Sequence, residues 1–350
     1  MLLLSVDNCC CMSVEVWIGL LLTLVGGVMA GNCMVPQKFV RHWRWENTWL
    51  VFSLVSLVLI PWLLAFLTIG DLPAVYAQLS GGQLAVPFLF GAGWGVAQVL
   101  FGLSMVRLGV ALGYAIIIGL GAMLGSLVPL LFQHREVLAS RKGLFILGGV
   151  VIMVAGIVVS SWAGRQRELA AAQKPREDEA GSSSYGLALL AAVICGVLAP
   201  MLNYSLAFGQ EIAQEAMRQG ASAANSAYAV WPVGLTGGLL PNLAYSLYLL
   251  GKNHSWGRFR RVRPDVYYAG LMGVLWMGAV AIYGMGAGFL GLLGTSIGWA
   301  LFQIFMIMTA NVSGLATGEW AGARRQTVHL LWAGLALLAL ATVVISMGNR

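Results

Sequence analysis

Ten mostly apolar stretches, each about as long as a bilayer core is thick, run through this chain. They lie at 14–35, 49–69, 83–105, 109–132, 143–163, 185–208, 224–250, 265–287, 290–316 and 326–347. A helix needs ~20 such residues to cross hydrocarbon. Lipid offers a backbone no hydrogen-bond partner, so a spanning segment has to satisfy its amides internally. The pattern therefore predicts an all-α integral membrane protein of about ten transmembrane helices. Only 9% of the residues are charged, against roughly 25% in a soluble domain. Glycine is abundant, at 45 of 350 residues, and small residues let membrane helices approach closely. The shortest connections, at Arg107 and near Gly288, require tight helical hairpins, which Gly109, Gly286 and Gly288 permit.

The first residues, MLLLSVDNCCCM, lack the basic region of a secretory signal, and Met1 and Met12 both stand as candidate starts. The cysteines show no metal-ligand spacing and no disulfide framework.

Orientation follows from the lysines and arginines of the connections. With the N-terminus outside, fifteen of the 20 basic residues fall in inner connections and five in outer ones. Both termini are thus predicted to be external. The net charge of +7 is accounted for by this bias and calls for no nucleic acid. The first inner connection reads GNCMVPQKFVRHWRWENTW (31–49). Lys38, Arg41 and Arg44 are predicted to hold it at the inner surface. Trp43, Trp45 and Trp49 are predicted to sit at headgroup depth, where an indole buries its ring and keeps its N–H wet.

The most polar stretch, 164–184, divides five spans from five. The chain is thus predicted to comprise a first five-helix repeat (1–163), a polar cytoplasmic linker (164–184) and a second repeat (185–350). An odd number of spans per half makes the second insert upside down, as in many secondary transporters. The first span of each half carries a proline, Pro36 and Pro200. These and Pro232 and Pro241 predict kinks or hinges.

Polar groups inside a span usually face a cavity or one another. The mid-span set holds Asn32, Gln98, Tyr114, Asn203, Tyr204, Asn242, Tyr283, Gln303 and Asn311, with Trp94, Trp231, Trp276 and Trp299. Amides suit hydroxyls and an indole suits an apolar ring face, so the set points to a small, neutral, polar solute. Asn32, Gln98, Asn203, Trp276 and Gln303 are the candidate substrate contacts; the bland alternative is helix–helix hydrogen bonding and packing. None of the 13 acidic residues lies at the centre of a span. Glu15 and Glu215, at outer positions, are the candidate proton-coupling groups, while Glu319, beside Arg324 and Arg325, reads as part of an ion pair at the inner surface.

The first connection followed by LIPW (59–62) resembles the start of the L-rhamnose–proton symporter family of the drug/metabolite transporter superfamily. Similar segments continue in order: VPFLFGAGWGVAQVLFGLSMVRLGVALG (86–113), CGVLAPMLNYS (195–205), EAMRQGA (215–221) and GEWAGARRQTV (318–328). The resemblance implies ten spans in two inverted halves around a central solute path in a bacterial inner membrane. It also implies symport of a sugar of the L-rhamnose type with a proton, and no cofactor. One departure stands out. The family pattern has an aspartate and tyrosines at the start of the ninth span, where this chain reads LLGTSIGW (292–299). A facilitator or exporter of another small metabolite is the alternative. No phosphate-binding GxxxxGK[ST] loop and no metal-ligand or acid-pair spacing occurs, which argues against an ATP-driven pump and an enzyme.

Overall fold

The computed structural model describes residues 14–108, 110–171, 182–260 and 263–348. The alternative starts, Gly109, the middle of the polar linker with Lys174 and Arg176, and the terminal Arg350 lie outside the described residues.

Among the described residues ten helical segments are long and apolar enough to cross a membrane, in the order and close to the bounds that hydropathy sets. They are built from α1 (Val14–Asn32), α2 (Trp45–Leu54), α3 (Ile60–Thr68), α4 (Leu72–Ala77), α5 (Gly81–Leu108), α6 (Val110–Gln133) and α7 (Arg141–Ala171) in the first half. The second half holds α8 (Ser182–Leu198), α9 (Met201–Ala207), α10 (Gln210–Arg218), α11 (Ala227–Lys252), α12 (Asp265–Phe289), α13 (Gly294–Ala316) and α14 (Arg325–Met347). Of these, α4 and α10 are short connecting helices. The second span is α2 and α3 joined by a π turn, Val55–Leu59, just before Pro61. The sixth span is α8 and α9, broken at Pro200, which caps α9. The first span shows a comparable break: α1 ends at Asn32 and gives way to a 3-10 turn, Val35–Phe39, containing Pro36.

The first helix of each half packs on helices of the other. α1 lies on α12 and α13, while α8 lies on α5 and α6. α5 packs along α11, α2 against α12, and α7 against α14. Small residues make these approaches possible. A Cβ on Gly91 of α5 would lie 1.7 Å from the Gly234 carbonyl oxygen of α11. A Cβ on Gly27 of α1 would lie 2.5 Å from that of Phe305 on α13. The buried stripe of α1, Gly19, Thr23, Gly26, Gly27 and Ala30, is the face that meets α12 and α13. In lipid such packing, rather than exclusion of water, supplies the association energy.

Candidate substrate path and its closures

At the centre of the bundle, Trp94 of α5 and Trp276 of α12 stack with ring centroids 5.2 Å apart and planes 22° from parallel. Trp94 belongs to the same apolar cluster as Trp231, Tyr283, Trp299 and Phe302, and the half-buried Trp276 packs against it. Gly91 and Gly95 put one face of α5 hard against α11, and Gln98 is one turn along from Trp94 near that face. Gln98 is half-buried, and its amide has no protein partner among the described residues. Gln303, one turn beyond Trp299 on α13, is 6% exposed and likewise has no protein hydrogen bond among them. Neither amide is among the enclosed polar atoms that lack a partner, so each end is open to water or a ligand. Two amides without a protein partner among the described residues and a stacked indole pair are therefore the groups left for a solute.

The remaining candidates are placed elsewhere. Asn203 is fully enclosed, and its Nδ2 donates to the Gly125 and Thr295 carbonyls, each at 2.9 Å. Its Oδ1 accepts from the Tyr283 hydroxyl. The side chain thus ties α9 to α6, α12 and the start of α13, with every polar atom committed. Asn32 sits at the end of α1, where its Nδ2 donates to Val28 at 3.0 Å and its Oδ1 accepts from Ser313 at 2.7 Å. It borders an apolar cleft of about 420 Å³ that includes Pro36, Phe39, Tyr268 and Leu275. Glu15 is exposed in the first turn of α1. Glu215 of α10 accepts from Arg218 at 2.8 Å and from Gln219 at 3.2 Å.

The face carrying the first connection is closed by a reciprocal clasp. Asp265, wholly buried at the start of α12, accepts the backbone N–H groups of Arg41, His42 and Trp43 at 3.2, 2.7 and 2.8 Å. Glu46, at the start of α2, accepts from Ser255 at 2.7 Å and Asn253 at 3.1 Å in the connection between α11 and α12. Each half supplies a buried carboxylate at a helix N-terminus, where the helix dipole favours negative charge, and the other half supplies the donors. Trp43 is buried in this clasp, its ring 5.2 Å from that of Phe259. Docking the first connection on the second half thus encloses the Trp43 ring in protein, a contact hydropathy cannot register. The Glu319 carboxylate pairs with Lys38 at 2.5 Å and Arg167 at 3.6 Å. Its partners thus come from the first half rather than from the adjacent Arg324 and Arg325. The Arg167 guanidinium also lies 4.7 Å from the Trp320 ring centroid.

The opposite face closes with different chemistry. α4 packs on α10, with Leu72 and Val75 of the one and Ile212, Ala213 and Ala216 of the other all buried. The Tyr76 hydroxyl donates to the Ala229 carbonyl at 2.8 Å. One face is held by buried carboxylates and ion pairs between the halves, the other chiefly by apolar contact with the Tyr76 hydrogen bond beside it. Sequence reasoning missed Trp94 as the partner of Trp276, although the position of Gly91 and Gly95 around it marks the α5 face that meets α11.

Known proteins match over nearly the whole chain. The family described as "L-rhamnose-proton symport protein" matches residues 12–350. A protein of Cronobacter sakazakii named L-rhamnose-proton symporter is 30% identical over 96% of this chain and 99% of its own length. Proteins of that name from Mannheimia succiniciproducens and Yersinia pestis are each 27% identical over 95% of this chain, covering 98% and 97% of their own lengths. This multi-pass membrane chain belongs to the L-rhamnose-proton symport protein family.

Proposed function

We propose that this chain is a secondary active transporter that carries a sugar of the L-rhamnose type, together with a proton, across a bacterial inner membrane. Membership of the family supports the substrate class. The observation that carries the reading is the pair Trp94–Trp276 together with the amides of Gln98 and Gln303, which have no protein partner among the described residues. A deoxy sugar has hydroxyls for amides and an apolar face for an indole. Asn203 contributes by fixing the four helices around this region, and Asn32 by lining the cleft at the end of α1.

The two halves, 1–163 and 185–350, are read as inverted repeats joined by the linker 164–184. Supporting this, helix contacts repeat under a shift of five spans: the first span packs on the eighth and ninth, and the sixth on the third and fourth. The same symmetry relates the clasp at one face to the α4–α10 contact at the other. With the basic face inside, both termini are external. A reporter fused after Arg350 should then read as external, and one inserted between Lys174 and Pro175 as cytoplasmic. The reverse pattern would overturn the orientation.

Proton coupling is assigned to Glu15 or Glu215. The second reading, a facilitator or exporter within the drug/metabolite transporter superfamily, is favoured by one observation: Glu15 lies at the outer end of α1, and Arg218 and Gln219 occupy Glu215. Membrane vesicles under an imposed pH gradient decide between them. Symport predicts that the wild type concentrates L-rhamnose above the outside level, and that Glu15→Gln or Glu215→Gln reduces this to equilibration. Equilibration by the wild type supports the facilitator. Concentration by both variants moves coupling to another group.

A further inference from the structure

An unbroken line of aromatic rings connects the central indole pair to the basic face. From Trp276 the line passes to Phe52 (centroids 6.2 Å apart), from Phe52 to Trp49 (4.8 Å) and from Trp49 to Trp45 (5.0 Å, 17° from parallel). Trp45 then meets Tyr245 of α11 edge-on at 6.1 Å. Trp45, Trp49 and Phe52 stand at i, i+4 and i+7 on α2, so they share one stripe. That stripe faces the interior, because Phe52 at its deep end is 1% exposed and touches α12. Leu54, on the opposite side of α2, is among its exposed residues. Trp45, at the start of α2 on the same stripe, is 39% exposed. The Trp49 indole N–H donates to Asn242 at 2.8 Å, which fixes the plane of its ring.

The geometry points to a second sugar subsite, formed by Trp45 and Trp49 on the basic side, with the Phe52 ring as the gate between it and the central Trp94–Trp276 pair. The inference deepens the proposed function and rests on it. The ligand class is a neutral pyranose, which presents an apolar C–H face to a flat indole while its hydroxyls stay in water. Trp45 stacks on Trp49 through one face, which leaves its other face and exposed edge for a pyranose, and among the described residues no cation lies over either indole, which suits a neutral ligand and not an anion. Phe52 is placed to move. It precedes the π turn Val55–Leu59, and π turns mark adjustable points in helices. Pro61, lacking an N–H, further loosens the ladder beyond it.

The test uses the full-length protein in vesicles of both orientations, with L-rhamnose half-saturation read at each face. Trp45→Leu/Trp49→Leu should raise half-saturation about tenfold at the basic face, equivalent to ~1.4 kcal/mol, and leave the other face within about twofold. Trp45→Phe/Trp49→Phe should restore most of the loss, which lost packing volume alone would not discriminate by face. Phe52→Ala should let sugar equilibrate faster across the membrane while accumulation falls. If the leucine pair fails to fold, the half-exposed Trp45→Leu alone carries the same expectation. Unaltered half-saturation at the basic face, or equal increases at both faces, overturns the subsite alone. A wild type that transports no sugar overturns the proposed function and this inference with it.

Discussion

Trp276→Ala should weaken sugar affinity by about 2–4 kcal/mol, the range for truncating an aromatic anchor at a binding site, or roughly 30- to 1,000-fold. The ring is stacked on Trp94 and meets Phe52 edge-on at 6.2 Å, so on the proposed reading its removal takes away both the platform for the sugar and that platform's rigidity. Trp276→Phe keeps a flat apolar face and should retain much of the affinity. Gln303→Ala should cost about 1–3 kcal/mol if its buried amide serves a sugar hydroxyl. The same change should leave thermal unfolding of the detergent-solubilised protein nearly unaltered, because no protein group loses a partner. Sugar binding measured by calorimetry is the check, and unchanged affinity in both alanine variants would move the site out of the second half.

Asp265→Ala is expected to have the largest effect on stability, about 3–5 kcal/mol. The carboxylate is fully buried and accepts three backbone N–H groups from the other half of the chain. Those donors have no alternative partner once it is gone, and each unpaired buried donor costs about 1–3 kcal/mol. Asp265→Asn keeps one acceptor oxygen and should lie between. Thermal unfolding in detergent measures the loss. An Asp265→Ala variant as stable as wild type would mean that water reaches these amides and that the clasp holds little of the fold together.

Hydropathy made the ten spans legible because a membrane helix satisfies its own backbone and needs little from its neighbours to exist. The break in the sixth span was legible too, since Pro200 cannot donate to the ladder. The surroundings of the candidate site residues were legible in kind rather than in detail. Trp276 and Gln303 stand out as polar or aromatic residues in apolar helices, yet nothing local says that Trp94 is the ring Trp276 meets. Asn203 has the same composition signal as Gln303, but one amide is saturated by carbonyls and a tyrosine while the other has no protein partner among the described residues. That difference depends on which helices surround each, a matter of tertiary packing. Glu319 illustrates the same limit. Its nearest cations in sequence are Arg324 and Arg325, and its partners are Lys38 and Arg167.

The placement of α1 has a consequence for how the protein is made. Its glycine-lined stripe fits α12 and α13, and neither exists when α1 leaves the ribosome. The helix must wait in lipid until Asp265–Phe289 and Gly294–Ala316 have followed it into the bilayer. During that interval its small residues have no proper neighbour and are open to wrong ones. The first five spans synthesised alone would therefore be an incomplete object, and co-expression of the two halves as separate chains should rescue each from degradation by the cell's membrane proteases.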